Sequence, residues 1–167
     1  MACSVYLVVT LYVRGDRVLL RALRLLESLG GRIIGVDEVN RRVVCVTPSK
    51  SIDGLSSLLS DYASGYVVNV KASCNVESLS ELEGRIKGFK SRVRGGSNVY
   101  YLAFNGRVVE VNFRGGGRVD FKIGVRSSLV KPVPPSVFNM TVEEARSAVS
   151  DLESLLSQLG LEVKLSG

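Results

Sequence analysis

Residues 98–125 read NVYYLAFNGRVVEVNFRGGGRVDFKIGV. Apolar and polar side chains alternate on both sides of Asn105-Gly106, a dipeptide with a strong preference for two-residue hairpin turns, and again on both sides of Gly115-Gly116-Gly117. Three antiparallel strands in a meander are expected. Paired positions step away from a turn together, so Phe104 faces Arg107, Leu102 faces Val109 and Tyr100 faces Val111. The glycine turn likewise pairs Phe113 with Val119 and Val111 with Phe121. One face thus collects Tyr100, Leu102, Phe104, Val109, Val111, Phe113, Val119, Phe121 and Ile123, which is the expected core.

Alternation assigns the opposite face to Val99, Tyr101, Ala103, Val108, Glu110, Asn112, Arg114, Arg118, Asp120, Lys122 and Arg126. Between residues 85 and 131 eleven cations meet only two carboxylates, a local excess above the +6 of the whole chain. Cations that track phosphates beside a ring that stacks on bases suit single-stranded nucleic acid. The candidate binding residues are Tyr101, Asn112, Arg114, Arg118, Lys122 and Arg126. The competing reading is an ordinary solvated sheet face, with Glu110 and Lys122 as a cross-strand ion pair.

Working outward, a helix is expected from about Ser78, with Leu79, Leu82, Ile86, Phe89 and Val93 on its apolar side and Gly95-Gly96 at its end. Its Arg85, Lys87, Lys90, Arg92 and Arg94 form a secondary basic helix, whose simplest role is a solvated face. After a proline-bearing loop, Thr141 and Glu144 are spaced as a capping box. The helix behind them carries Val142, Ala145, Val149, Leu152, Leu156 and Leu159, and LEVKL after Gly160 can add a last strand. That spacing resembles a short coiled-coil seam and allows a homodimer, although under three heptads favours packing on its own sheet.

The first half alternates over residues 3–13, with Cys3, Val5, Leu7, Val9, Leu11 and Val13 on one face and Tyr6, Thr10 and Tyr12 on the other. A helix follows that Asp16 can cap and Gly30-Gly31 can end. Two short strands, RIIGV and RVVCV, are joined by a hairpin over Asp37 to Arg42. A second helix from about Ser51 leads past Gly65 to the strand YVVNV. The order βαββαβ is the split βαβ arrangement of ferredoxin-like folds. The expected fold class is therefore α+β: a ferredoxin-like domain over residues 1–74, and over 75–167 an antiparallel meander backed by two amphipathic helices.

Composition narrows the function. A pI near 9.4 favours anionic partners. Histidine is absent, removing the commonest general base near neutral pH and the commonest metal ligand. No nucleophile-base pair and no cluster of metal-ligand spacing emerges, so no catalytic residue, metal or cofactor is assigned, and a non-enzymatic protein is expected. Cys3, Cys45 and Cys74 are far apart and lack C-x-x-C spacing. They read as buried reduced thiols, with a disulfide as the alternative. The apolar run from Val5 to Val13 is too short to span a bilayer and lacks signal-peptide flanks, so a cytoplasmic protein without membrane contact is expected. Arginine outnumbers lysine 15 to 7 and there is one glutamine, which hints at a thermophilic source.

In layout, the meander from Val99 to Val125, its cations and the heptad-like helix from Thr141 to Leu159 make the second half resemble the single-stranded-DNA-binding proteins of hyperthermophilic archaea. A meander followed by a capped helix is also similar to the Whirly and transcriptional-coactivator class of single-strand binders. The resemblance implies a single-stranded DNA or RNA partner held with little sequence specificity. The first half resembles a ferredoxin-like domain without the aromatic RNP signatures of an RRM. The alternative function is a regulatory or assembly protein in which an ACT-like unit binds a small molecule or oligomerises edge to edge.

Overall fold

The computed structural model describes residues 2–89, 93–96, 98–126 and 135–164. Strand β1 (Ala2–Val13) turns Cys3, Val5, Leu7, Val9, Leu11 and Val13 into the core, all buried, as its alternation requires. Helix α1 (Asp16–Ser28) ends where Gly30 turns left-handed at φ 82, and the amides of Gly30 and Gly31 donate to the carbonyls of Glu27 and Leu26 at 3.0 and 2.9 Å. Asp16 is not the cap. It is the first helical residue behind Gly15, and its carboxylate pairs with Arg41 at 3.3 Å.

Strands β2 (Arg32–Asp37) and β3 (Arg42–Pro48) form the expected hairpin. Asp37 closes it by accepting from the backbone and side-chain nitrogens of Asn40 at 3.2 and 2.8 Å, while Arg41 takes the left-handed conformation at φ 53. Helix α2 (Ile52–Tyr62) then leads directly into β4 (Ala63–Asn75). Gly65 does not break the strand, and the strand does not stop at Val70 as YVVNV suggested. The resulting order β2-β3-β1-β4 is that of the ferredoxin-like sheet. Ala22, Leu26, Ile52 and Leu55 of the helices are buried with Val43, Cys45, Tyr66, Val68 and Val70 of the strands.

Helix α3 (Leu79–Lys87) is capped by the Ser78 hydroxyl, which accepts from the amide of Glu81 at 3.3 Å. It is shorter than expected. Gly88 ends it, and Val93–Arg94 form strand β5, paired with β6 (Val99–Phe104) through Val93 and Tyr101. A glycine at the helix end and a valine in register with a neighbouring strand outweigh the helical spacing of Phe89 and Val93. The basic helix is therefore divided: Arg85 and Lys87 are helical, Arg94 is in a strand, and Lys90 and Arg92 lie outside the described residues.

The meander of β6, β7 (Arg107–Gly115) and β8 (Arg118–Arg126) has the expected register, including Tyr100 with Val111, Leu102 with Val109 and Val111 with Phe121. Asn105 and Gly106 are left-handed at φ 49 and 77, as a two-residue hairpin turn needs. Seven of the nine expected core residues are buried, while Phe104 and Phe113 are half-buried. Helix α4 (Pro135–Gln158) begins six residues before Thr141. Proline is tolerated in a first helical turn, so Thr141 lies inside the helix instead of at its N-cap position. A glycine-ended turn at Gly160 delivers β9 (Glu162–Lys164), the expected last strand, which pairs in parallel with residues 2–4 of β1.

Two compact units result, both discontinuous in sequence. One comprises Tyr6–Val70 and Gly124–Ser147 and contains the ferredoxin-like elements. The other comprises Met1–Val5, Lys71–Ile123 and Ala148–Gly167 and contains the meander, α3 and the second half of α4. Within this meander unit Cys3 and Cys74 are joined in a disulfide, with Cα atoms 4.1 Å apart, which corrects the expectation of three reduced thiols. Cys45 is free and buried, and burial raises its thiol to a pKa of about 11. Among the described residues no helix is long and apolar enough to cross a membrane.

Candidate nucleic-acid interface

Register fixes which side chains of the meander stand together on its open face. Tyr101 of β6 lies beside Glu110 of β7, which lies beside Lys122 of β8, so the three form a row across the strands. Strands are about 4.8 Å apart, which puts the outer two roughly 10 Å from each other. The next row is Val99, Asn112 and Asp120. Beyond a register shift at the glycine turn, Arg114 and Arg118 close one end of the face. Tyr101, Asn112, Arg114, Arg118 and Lys122 are thus brought onto one surface. Arg126 is the last residue of β8, and its side chain lies outside the described set.

The cations are held in place by carboxylates. Asp120 accepts from the Nε of Arg114 at 2.9 Å and from the Nε of Arg118 at 3.3 Å. Lys122 meets Glu110 at 3.2 Å, the cross-strand pair that alternation led us to expect. Both guanidinium side chains remain 55% exposed, so these pairs hold orientation and contribute only about 0–1 kcal/mol each. An incoming phosphate competes with a weak partner, and one guanidinium can serve both.

Lys71 is the residue that the sequence reading missed. Alternation along β4 places it on the open face, next to β8, but only because the strand runs beyond Val70. It lines a shallow cleft of about 170 Å³ with Glu110, Asn112, Arg114, Asp120, Phe121 and Lys122. Pockets that bury a drug-sized ligand run to about 300–1,000 Å³, so this cleft suits a phosphate or the edge of a base rather than an engulfed metabolite.

Tyr101 supplies the aromatic surface. Its ring lies against Gly95, where any Cβ would collide with it, and the residue is 37% exposed. The amide of Gly95 donates to the carbonyl of Val99 at 2.9 Å and keeps that glycine in place. Val108, 66% exposed, and Ala103 extend the apolar end of the same face. Four described cations, two carboxylates, one amide and one open ring make the surface net positive and mixed in chemistry.

Three further cations of the basic segment, Arg85, Lys87 and Arg107, have structural partners. Arg85 donates to the carbonyl of Leu159 at 2.6 Å, capping the end of α4, and to Glu81 at 2.5 Å. Lys87 pairs with Glu83 at 3.6 Å. Arg107, on the helix side of the meander, bonds Asp151 of α4 at 2.8 Å, and Asn105 reaches the same carboxylate at 3.1 Å. Burial raises the Asp151 carboxyl, and the hydrogen bonds from Arg107 and Asn105 outweigh it, leaving a pKa below the ordinary carboxylate range. Among the described residues no group of three or more His, Cys, Asp or Glu side chains is placed to hold a metal ion.

No family model matches the chain, and no curated protein matches it. Among solved structures it is similar to Methanococcus jannaschii TBP, with 12% identity over 96% of this chain and 99% of that one and a TM-score of 0.37. It is also similar to the allosteric aspartate kinase of Clostridium acetobutylicum, with 11% identity over 88% of this chain and 33% of that one and a TM-score of 0.27. Both scores are too low for either protein to speak to what this chain binds.

Proposed function

We propose that this chain is a non-enzymatic nucleic-acid-binding protein that holds single-stranded DNA or RNA on the open face of the meander, with little sequence preference. The observation that carries this reading is the placement of the exposed Tyr101 ring in one cross-strand row with Lys122, beside Lys71, Arg114 and Arg118. The ring stacks on a base of any sequence, and the cations take the adjoining phosphates. Asn112, in the middle of the face, offers both a donor and an acceptor to a base edge.

An open sheet face suits a strand whose bases are splayed out better than a duplex, whose bases are already stacked. The test is a titration of labelled single- and double-stranded DNA and RNA of matched length at several salt concentrations. Single strands of different sequence should bind with similar affinity and tighter than duplexes. Absence of binding to every oligonucleotide at low salt would reject the reading.

A further inference from the structure

We infer that the free edge of β2 pairs with β2 of a second copy of this chain, in antiparallel register about a two-fold axis through Gly35. The inference concerns the ferredoxin-like unit alone and stands apart from the nucleic-acid reading. Among the described residues β2 ends the strand order, with β3 as its only neighbour, so its outer edge presents backbone amides and carbonyls that no described strand pairs. Four of the six large apolar side chains exposed among the described residues sit on this strand, its turn and the adjoining helix: Ile34 at 55%, Val36 at 45%, Val39 at 91% and Leu20 at 57%.

The sequence of the edge is complementary to itself once its bulge is counted. Arg32, Ile33, Gly35, Val36 and Asp37 pair with Val46, Cys45, Val44, Val43 and Arg42, five consecutive positions of β3, and Ile34 is the extra residue. β2 therefore offers five ladder positions with Gly35 in the middle. An isologous antiparallel pair must place one position opposite itself. Centring on Gly35 sets Ile33 against Val36 of the second copy and Arg32 against its Asp37.

Both ends of the ladder then carry opposite charges, and both intermediate positions are apolar. Within each pair the two side chains emerge on the same face of the sheet, because Arg32 and Asp37 alternate with Ile33 and Val36. At the axis a Cβ on Gly35 would meet nothing within 4 Å in the single chain, so the sheet face is open there. Asp37 already accepts from Asn40 through both oxygens and lies 4.0 Å from the guanidinium of Arg42 in its own chain. A carboxylate has about four acceptor sites, so a guanidinium can still join. Of the features that keep edges apart, RIIGVD lacks lysine and proline and has a bulge at Ile34, and its two end charges are the ones matched across the pair.

Five ladder positions form an interface at the small end of the known range, so association at micromolar or weaker strength is expected, and the test extends to about 1 mM. In sedimentation equilibrium the chain should rise from 18.1 kDa toward twice that mass as concentration increases. Arg32→Asp and Asp37→Arg should each stay monomeric, because each places like charges at both ends. A one-to-one mixture of the two should dimerise again, since every end then joins opposite charges, which a merely structural effect of either substitution would not produce. A native chain that stays monomeric at about 1 mM, or single reversals that dimerise as the native chain does, overturns the inference. Should Asp37→Arg unfold the hairpin, Gly35→Cys reads the same register: a disulfide-linked dimer on mild oxidation supports it, and its absence overturns it.

Discussion

Asp120 is the residue on which the candidate surface turns. It holds Arg114 and Arg118 together through their Nε atoms, so it both orients the two guanidinium groups and offsets their charge. Both effects reach a bound strand, and their balance follows from exposure. The arginines are more than half exposed and their pairs are weak, so the charge of Asp120 matters more than its hold. Asp120→Asn should therefore tighten binding to a single strand about 3- to 10-fold and steepen the salt dependence, measured by fluorescence anisotropy. An unchanged affinity would mean that no phosphate reaches this end of the face. The Glu110–Lys122 pair could be read from alternation and turn type alone. The grip of Asp120 on two arginines could not, because it depends on the register shift that three left-handed glycines introduce after Phe113.

At the scale of elements, the hairpins were legible because Asn105-Gly106 and the glycine run fix register, and register fixes faces. The ends of α3, α4 and β4 were not. Phe89 and Val93 keep helical spacing beyond the true end of α3, a proline at a first helical turn resembles loop, and Gly65 inside a strand resembles punctuation. Tertiary pairing overrides the local signal in α3 and β4, whereas in α4 the proline is itself compatible with a first helical turn. The α4 contact with the meander turn illustrates such pairing, since Asp151 accepts from both Asn105 and Arg107. The Asp151 carboxyl is depressed in the folded chain, so its contribution is present above the unfolded carboxylate value of about 3.9 and is lost as pH falls through the lower folded value. Asp151→Asn should cost about 1–2 kcal/mol at pH 7 by urea denaturation. The difference from the native chain should close in strong acid. A constant difference across that range would assign the effect to packing instead of charge.

For the whole molecule, the disulfide between Cys3 and Cys74 closes a long segment, at a sequence separation of 71. Ferredoxin-like order places β4 beside β1, which brings the first residues of one next to the last residues of the other. The sequence hides this pairing because the strand signal YVVNV ends at Val70, whereas β4 continues to Asn75 and includes Cys74. A loop of this length raises stability by about 2–4 kcal/mol through the unfolded chain. Reduction, or Cys74→Ser, should lower the Tm by roughly 5–15 °C. Equal melting with and without reductant would show that the bridge contributes nothing. Buried Cys45, with a thiol pKa of about 11, has almost no thiolate at pH 8 and is a poor partner for exchange. The central claim remains that a single strand lies on the open face of the meander, and Tyr101 and Arg118 test it together. Anisotropy of a labelled single strand, titrated at several salt concentrations, should show Tyr101→Ala weakening binding by about 1–3 kcal/mol with the salt slope unchanged. Arg118→Ala should weaken binding and flatten the slope of log K against log salt by about 0.7. Native affinity and native slope in both variants would contradict the account.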